Sequence, residues 1–317
     1  MALEVNGGWR VPFLSTTARE SRLLRFVAWK ALVRREVAFL QSVSKVRALP
    51  GLVPIGFDQA FAEGGSEVFF VLGNGDSVND LASKAFDTVA KNFSVGLNAW
   101  PLHPFVPSAY SFELWTGLGR NQLEIHFLLA LAEKKAHGTG ARLWLLRPKP
   151  KEFDQLAALI RSLPGVRFGV YGRANISSPS LRSLDQDVGN SLRYLSHKNR
   201  RQVLLDDGAS VVRMISLGLL QGAKKIVLVG VDLTETPYFW YDRDFIDCHG
   251  DHRDICRREP DEGADTLSTE SRPFSTQDFI FSLARVAKSD FGAEIFVASP
   301  RSCLAQELRV FDFHGGN

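Results

Sequence analysis

Residues 67–77 read Glu67-Val-Phe-Phe-Val-Leu72, then Gly73-Asn-Gly-Asp-Ser77. A short apolar run without alternation is the pattern of a strand buried on both faces, and the abrupt change to glycine and small polar residues marks a tight turn. Gly73 and Gly75 permit close backbone approach, and amide donors at the start of a following helix suit a phosphate. The turn is no dinucleotide fingerprint. The third glycine of that pattern would fall at Val78, and the Lys-Ser/Thr pair of a P-loop is missing, which argues against a dehydrogenase and a classical NTPase.

Outward from this turn, strand-like and helix-like segments alternate. Phe93–Asn98 reads as a second strand ending on a polar residue, Leu123–Lys135 as a helix, Arg142–Leu146 as a strand and Phe153–Leu163 as a helix. Val203–Gln221 reads as one longer helix closed by Gly222, followed by a strand over Lys225–Asp232 that passes Gly230 and ends on an acid. A helix over Gln277–Lys288 and a strand over Glu294–Ala298 complete the pattern. Such alternation predicts an α/β fold, a doubly wound, mostly parallel Rossmann-like sheet, in which ligands bind beyond the carboxyl ends of the strands. Residues 234–275, rich in Asp, Arg, His and Pro, read as a lid loop over that site. The organisation expected is an N-terminal helical extension over 1–65 and a Rossmann-like domain over 66–317.

Composition narrows the function classes. The 317 residues are 45% hydrophobic and 23% charged, enough for a sizeable core. Three cysteines, Cys248, Cys256 and Cys303, are too few for a disulfide scaffold and fit a reducing compartment. No apolar run reaches the ~20 residues of a membrane span, and the first residues lack the pattern of a signal peptide. A cytoplasmic location is expected. The net charge of +3 is too balanced for wholesale nucleic-acid binding, and nothing in the sequence decides whether the chain forms an oligomer.

Charge is nevertheless uneven. Residues 19–47 interleave Arg19, Arg22, Arg25, Lys30, Arg34, Arg35, Lys45 and Arg47 with Phe26, Trp29, Val33 and other apolar residues. Two readings are open: a basic helix lying on the anionic inner face of the cytoplasmic membrane, or a helix packed on the body with a solvated basic face.

Four segments carry a resemblance: FFVLGNGDSVNDL (69–81), FSVGLNAW (93–100), DDGASVVRMISLGLLQGAKKIVLVGVDLTE (206–235) and AEIFVASPRSCLAQEL (293–308). In this order they resemble the bacterial sialyltransferases of glycosyltransferase family 42, and more distantly other CMP-sugar transferases. The resemblance implies a GT-A-like fold of the sialyltransferase type, a CMP-activated acidic sugar as donor, a glycan or glycolipid acceptor such as those of lipopolysaccharide or capsule, and no metal or other cofactor. It places Asn74 and Ser77, with Gly73 and Gly75, against nucleotide phosphate and ribose, and Asn98 on the nucleotide side. It places Ser210, with Gly208 and Ala209, around the donor carboxylate, where a hydroxyl and amides at a helix N-terminus make a sensible cradle. Gly230 and Asp232 match the family's Gly-x-Asp strand end. Tyr238 and Tyr241 stand by residue type for the two tyrosines that assist phosphate departure, although Thr234 occupies the first one's register position.

The sequence departs from the family at the general base. Ser275 stands where the family has histidine, so His252, or His249, is the candidate base if the loop folds back. A carboxylate alternative is Glu113 or Asp232, as in retaining transferases that use CMP-Kdo. Cys248-His249-x-x-His252-x-x-x-Cys256 has ligand-type residues but matches no common zinc module. Two other classes remain: a nucleotide-binding subunit of a polysaccharide assembly complex without catalysis, favoured by the missing histidine, and a pyrophosphokinase-type enzyme dependent on ATP and magnesium.

Overall fold

The computed structural model describes residues 22–45, 67–112, 130–132, 143–146, 167–176, 178–197, 203–207, 209–234, 237–251 and 274–313. The strands are β1 (Val68–Leu72), β2 (Phe93–Leu97), β3 (Ala109–Phe112), β4 (Leu143–Leu146), β5 (Arg167–Val170), β6 (Gly172–Asn175), β7 (Val203–Asp206), β8 (Lys225–Val229), β9 (Glu294–Val297) and β10 (Arg309–Val310). The described α-helices, in chain order, are α1 (Arg22–Lys45), α2 (Ser83–Ala90), α3 (Leu181–Leu195), α4 (Ser210–Leu220), α5 (Arg243–His249) and α6 (Thr276–Val286).

Eight strands form one sheet in the order β10-β9-β8-β1-β2-β3-β4-β5, and every neighbouring pair is parallel. β6 and β7 form a separate parallel pair. The period-2 geometry of a strand splits β1 between two cores. Phe69 and Val71 join the core under α3, α4 and α6, whereas Val68, Phe70 and Leu72 join the one that holds Val89 of α2 and Trp100. All five residues are buried, which is why the run reads as continuously apolar. Phe69 and Phe70 are each fully buried and contribute roughly 1.5–3 kcal/mol apiece.

Strand order reverses at β1: the chain runs outward through β2 to β5 on one side and through β8 to β10 on the other. This switch point is where loops diverge and an open α/β sheet binds its ligand.

Two expectations require correction. The helix read over Val203–Gln221 is two elements, because Val203-Leu-Leu-Asp206 pairs with β6 and the helix starts only at Ser210. The Asp206-Asp207-Gly208 break was the signal for a turn. The described part of the supposed lid, 237–251, is docked: a 3-10 turn over Phe239–Tyr241 and α5 bury Phe239, Trp240 and Phe245 in the second core. Of the two readings of the basic segment, α1 follows the packed one. Trp29 and Val33 lie in the first core, and Trp29 stacks on Phe26 at 5.8 Å and meets Tyr194 edge-on at 5.6 Å. Trp29 is therefore part of the core packing, and Arg34 and Arg35 face outward. No described helix is long and apolar enough to cross a membrane.

β3, β5, β6 and α3 were not read from the sequence. Of the helix read over 123–135, residues 130–132 are described and helical, and the one read over 153–163 lies outside the described residues.

Candidate functional site

The loop after β1 and the loop after β8 interlock at the switch point. The Gly73 amide donates to Val229 O (2.7 Å) and the Gly75 amide to Gly230 O (2.8 Å). Asp232 completes the lock: one carboxylate oxygen accepts from the Ser77 amide at 3.0 Å and the other from the Ser77 hydroxyl. Both Ser77 and Asp232 are buried. The glycines are dictated by this contact. Gly230 has φ +60°, and a Cβ there would overlap Val78 and lie 2.8 Å from Gly73 O; one on Gly75 would lie 2.7 Å from Asp232 Cγ.

This geometry changes the expected role of the turn. The amides of Gly73, Gly75 and Ser77 are spent on β8 and its loop, and the residues after Gly75 form a five-residue 3-10 turn (Asp76–Asp80) rather than an α-helix. The phosphate cradle expected at a helix start is therefore not made by these three amides. Asp232, likewise, uses both oxygens to hold Ser77.

A second chain of bonds runs from the same turn toward α4. Asn74 Nδ2 donates to Leu97 O at 3.1 Å, and the next residue, Asn98, directs its own Nδ2 at Ser210 Oγ at 3.4 Å. Asn98 adopts φ +49°, a conformation asparagine tolerates better than most residues. The Oδ1 atoms of Asn74 and Asn98 are both buried and accept no hydrogen bond among the described residues. Leaving such an acceptor unpaired costs about 1–3 kcal/mol, and both of these lie at the strand-end rim. Backbone strain falls in the same place: among the described residues the non-glycines with positive φ are Asn98 and Leu233, immediately after a strand end and after Asp232.

Ser210 opens α4 with Ala209 as its N-cap residue, whose amide donates to Asp207 Oδ1 at 2.9 Å. Behind it stands Arg213, fully buried, which donates to Ser210 Oγ at 2.8 Å and pairs with Asp206 at 2.5 Å. Arg173 reaches the other Asp206 oxygen at 3.0 Å. Burial pulls the Arg213 guanidinium down to about 9, so it keeps its charge at neutral pH. Sequence reasoning missed this group, although an arginine inside Ser-Val-Val-Arg-Met-Ile-Ser-Leu, a helix otherwise without charge, was the signal.

On the other side of the turn, Gly75 bridges Tyr238 in antiparallel fashion, and the Phe239 amide donates to Asn74 O at 3.0 Å. Tyr238 stacks on Trp240 with centroids 4.6 Å apart, and Tyr241 packs against Trp240 at 6.1 Å. From the loop after β9, Ser302 Oγ donates to Val231 O at 2.7 Å and the Cys303 amide to Asp232 O at 3.0 Å. Arg301 closes the rim by clamping Asp76 (2.7 Å) and Asp80 (2.8 Å), which hold its charge more firmly than usual. Burial, and then Asp232, push the Cys303 thiol up, away from nucleophilic use at neutral pH.

The structure thus brings Gly73, Asn74, Gly75, Ser77, Asn98, Ala209, Ser210, Gly230, Asp232 and Tyr238 to one rim. Glu113, Gly208 and His252 lie outside the described residues. His249 sits exposed at the end of α5 against Phe245. Ser275 is occupied structurally, capping α6 through a capping box with Asp278.

No protein-family model matches the chain, and neither does any curated protein or solved structure at the threshold of a reliable match.

Proposed function

We propose that the chain is a glycosyltransferase that moves sialic acid or a related acidic sugar from a CMP-activated donor to a glycan or glycolipid acceptor. The observation that carries this reading is the hydrogen-bonded series Asn74, Leu97 O, Asn98, Ser210 at the switch point, with two buried carbonyl acceptors along it. A cytidine nucleotide offers donors for such acceptors in its ribose hydroxyls and exocyclic amine. Ser210 and the first turn of α4 then face the donor carboxylate, where a helix N-terminus favours negative charge. Tyr238 or Tyr241 supplies a hydroxyl to the departing phosphate. Asp232 acts here by holding the turn rather than as an acid, which leaves acceptor activation to His252 or Glu113.

One observation favours a second reading, a nucleotide-binding subunit without transferase activity: Ser275, at the position where the resembling family has its histidine, is committed to capping α6. Incubation with CMP-N-acetylneuraminate and with CMP-Kdo, each with and without glycan acceptors, separates the two. Release of CMP from either donor supports the transferase. Binding of CMP with neither donor consumed supports the subunit, and absence of CMP binding rejects both.

A further inference from the structure

Among the described residues the buried charged side chains are Asp206, Asp207, Arg213 and Asp232, and all four lie at or just beyond the carboxyl ends of β7 and β8. Asp232 is accounted for by Ser77 and Asp207 by the Ala209 amide. Arg213 is not accounted for by packing. It is, after Trp100, the largest fully buried side chain, and from Val211 to Leu220 every residue of α4 is buried. A buried ion pair is generally no more stabilising than apolar residues of the same volume, so stability alone gives little reason for arginine here. Its geometry supplies one. Asp206, on β7, fixes one guanidinium nitrogen at 2.5 Å while the other nitrogen of the fork donates to Ser210 Oγ at 2.8 Å.

We infer that Arg213 is a positioning residue that sets the Ser210 hydroxyl for an anionic group of the ligand, with Asp206 and Arg173 holding its guanidinium in place. The inference rests on the proposed reading of the site as one for a CMP-linked acidic sugar. Ser210 Oγ accepts from Arg213 and, more distantly, from Asn98 Nδ2. An oxygen that accepts twice has its own hydrogen as the one bond left to give, and an acceptor bonded by a cation makes a hydroxyl a better donor in turn. The carboxylate of the sugar, rather than the nucleotide, is the group that gains. Lysine is unable to replace arginine in this role, because a single ammonium on a flexible stem does not span Asp206 and Ser210 as a planar fork does.

The test is calorimetric titration of wild type, Arg213→Lys, Ser210→Ala and the double variant with CMP and, separately, with CMP-N-acetylneuraminate. Expected is an affinity for CMP unchanged within about twofold in Arg213→Lys and an affinity for the sugar nucleotide reduced about tenfold in the same variant, with almost no further loss of sugar-nucleotide affinity when that change is added to Ser210→Ala. A general structural role would lower both affinities together. Equal losses for the two ligands, no loss at all, or multiplying effects in the double variant overturn the inference while wild-type CMP binding leaves the site reading standing. Wild type that binds neither ligand removes both. Should Arg213→Lys fail to fold, guanidinium proton signals of wild type and Ser210→Ala decide. Shifts of the Arg213 signals induced by CMP-N-acetylneuraminate, not by CMP, and abolished in Ser210→Ala support the assignment; identical shifts with both ligands overturn it.

Discussion

Replacing Asp232 by alanine removes the clasp between the two central loops, and its cost follows from the bonds it makes. Asp232 accepts from both the amide and the hydroxyl of Ser77, and the pair is buried, with Ser77 only 2% exposed. A hydrogen bond to a charged group contributes about 1.5–3 kcal/mol, and stranding two buried donors while relieving one buried carboxylate gives a net loss of about 3–5 kcal/mol. At roughly 2–4 °C per kcal/mol this is about 6–20 °C in Tm. Ser77→Ala loses only the hydroxyl bond and should cost about 1.5–3 kcal/mol. The assay is urea denaturation of wild type, both single variants and the double variant. The two changes share a bond, so the double variant should fall short of the sum by at least about 1 kcal/mol. An Asp232→Ala protein within about 1 kcal/mol of wild type, or strict additivity with Ser77→Ala, would show that Asp232 is not the clasp and reopen it as a reacting acid.

Gly230→Ala forces a side chain into a left-handed conformation against Val78 and Gly73 O, and should cost about 3 kcal/mol or more in the same assay; a loss under about 1 kcal/mol would contradict the close approach of the loops. Tyr110→Phe removes a buried hydroxyl that has no partner among the described residues, and should be neutral or stabilising by up to about 1–3 kcal/mol at about pH 8. Burial raises the Tyr110 phenol above its ordinary value of 10.0, so the folded state holds a proton that the unfolded state releases and wild-type stability falls as pH rises beyond 10.0. Phenylalanine abolishes that contribution, about 1.4 kcal/mol per pH unit, and urea midpoints of the two proteins at about pH 8, 10 and 11 should diverge accordingly. Trp29→Ala should cost about 3–5 kcal/mol in urea melts, because α1 is keyed into the core through this ring; a negligible change would return α1 to the status of an appendage.

What was legible in the sequence was what the backbone and local packing dictate. Val68–Leu72 and Ile226–Val229 are apolar on both faces because they are neighbours at the centre of a parallel sheet, and a buried centre writes itself as a continuous run. The glycines and Asp232 were legible as a group, but their purpose was not, because a lock between two loops 155 residues apart leaves no local spacing to read. Val203–Asp206 was absorbed into a helix since a four-residue apolar strand followed closely by an apolar helix shows no change of period. α3 escaped notice even though Leu184, Val188, Leu192 and Leu195 recur at helical spacing. Arg213 was passed over for a different reason. Its meaning depends on Asp206 and Ser210 lying on opposite sides of one guanidinium, which only the packing of α4 on β7 creates.

In the proposed function, the rim at the β1–β8 switch point receives a cytidine nucleotide through Asn74 and Asn98. The most direct measurement is titration of isotope-labelled protein with CMP while the side-chain amide signals of these two asparagines are followed. Both signals should shift saturably at millimolar CMP or below and stay in place with NAD or S-adenosylmethionine. Saturating CMP that leaves both signals where they were would contradict a nucleotide site at this rim.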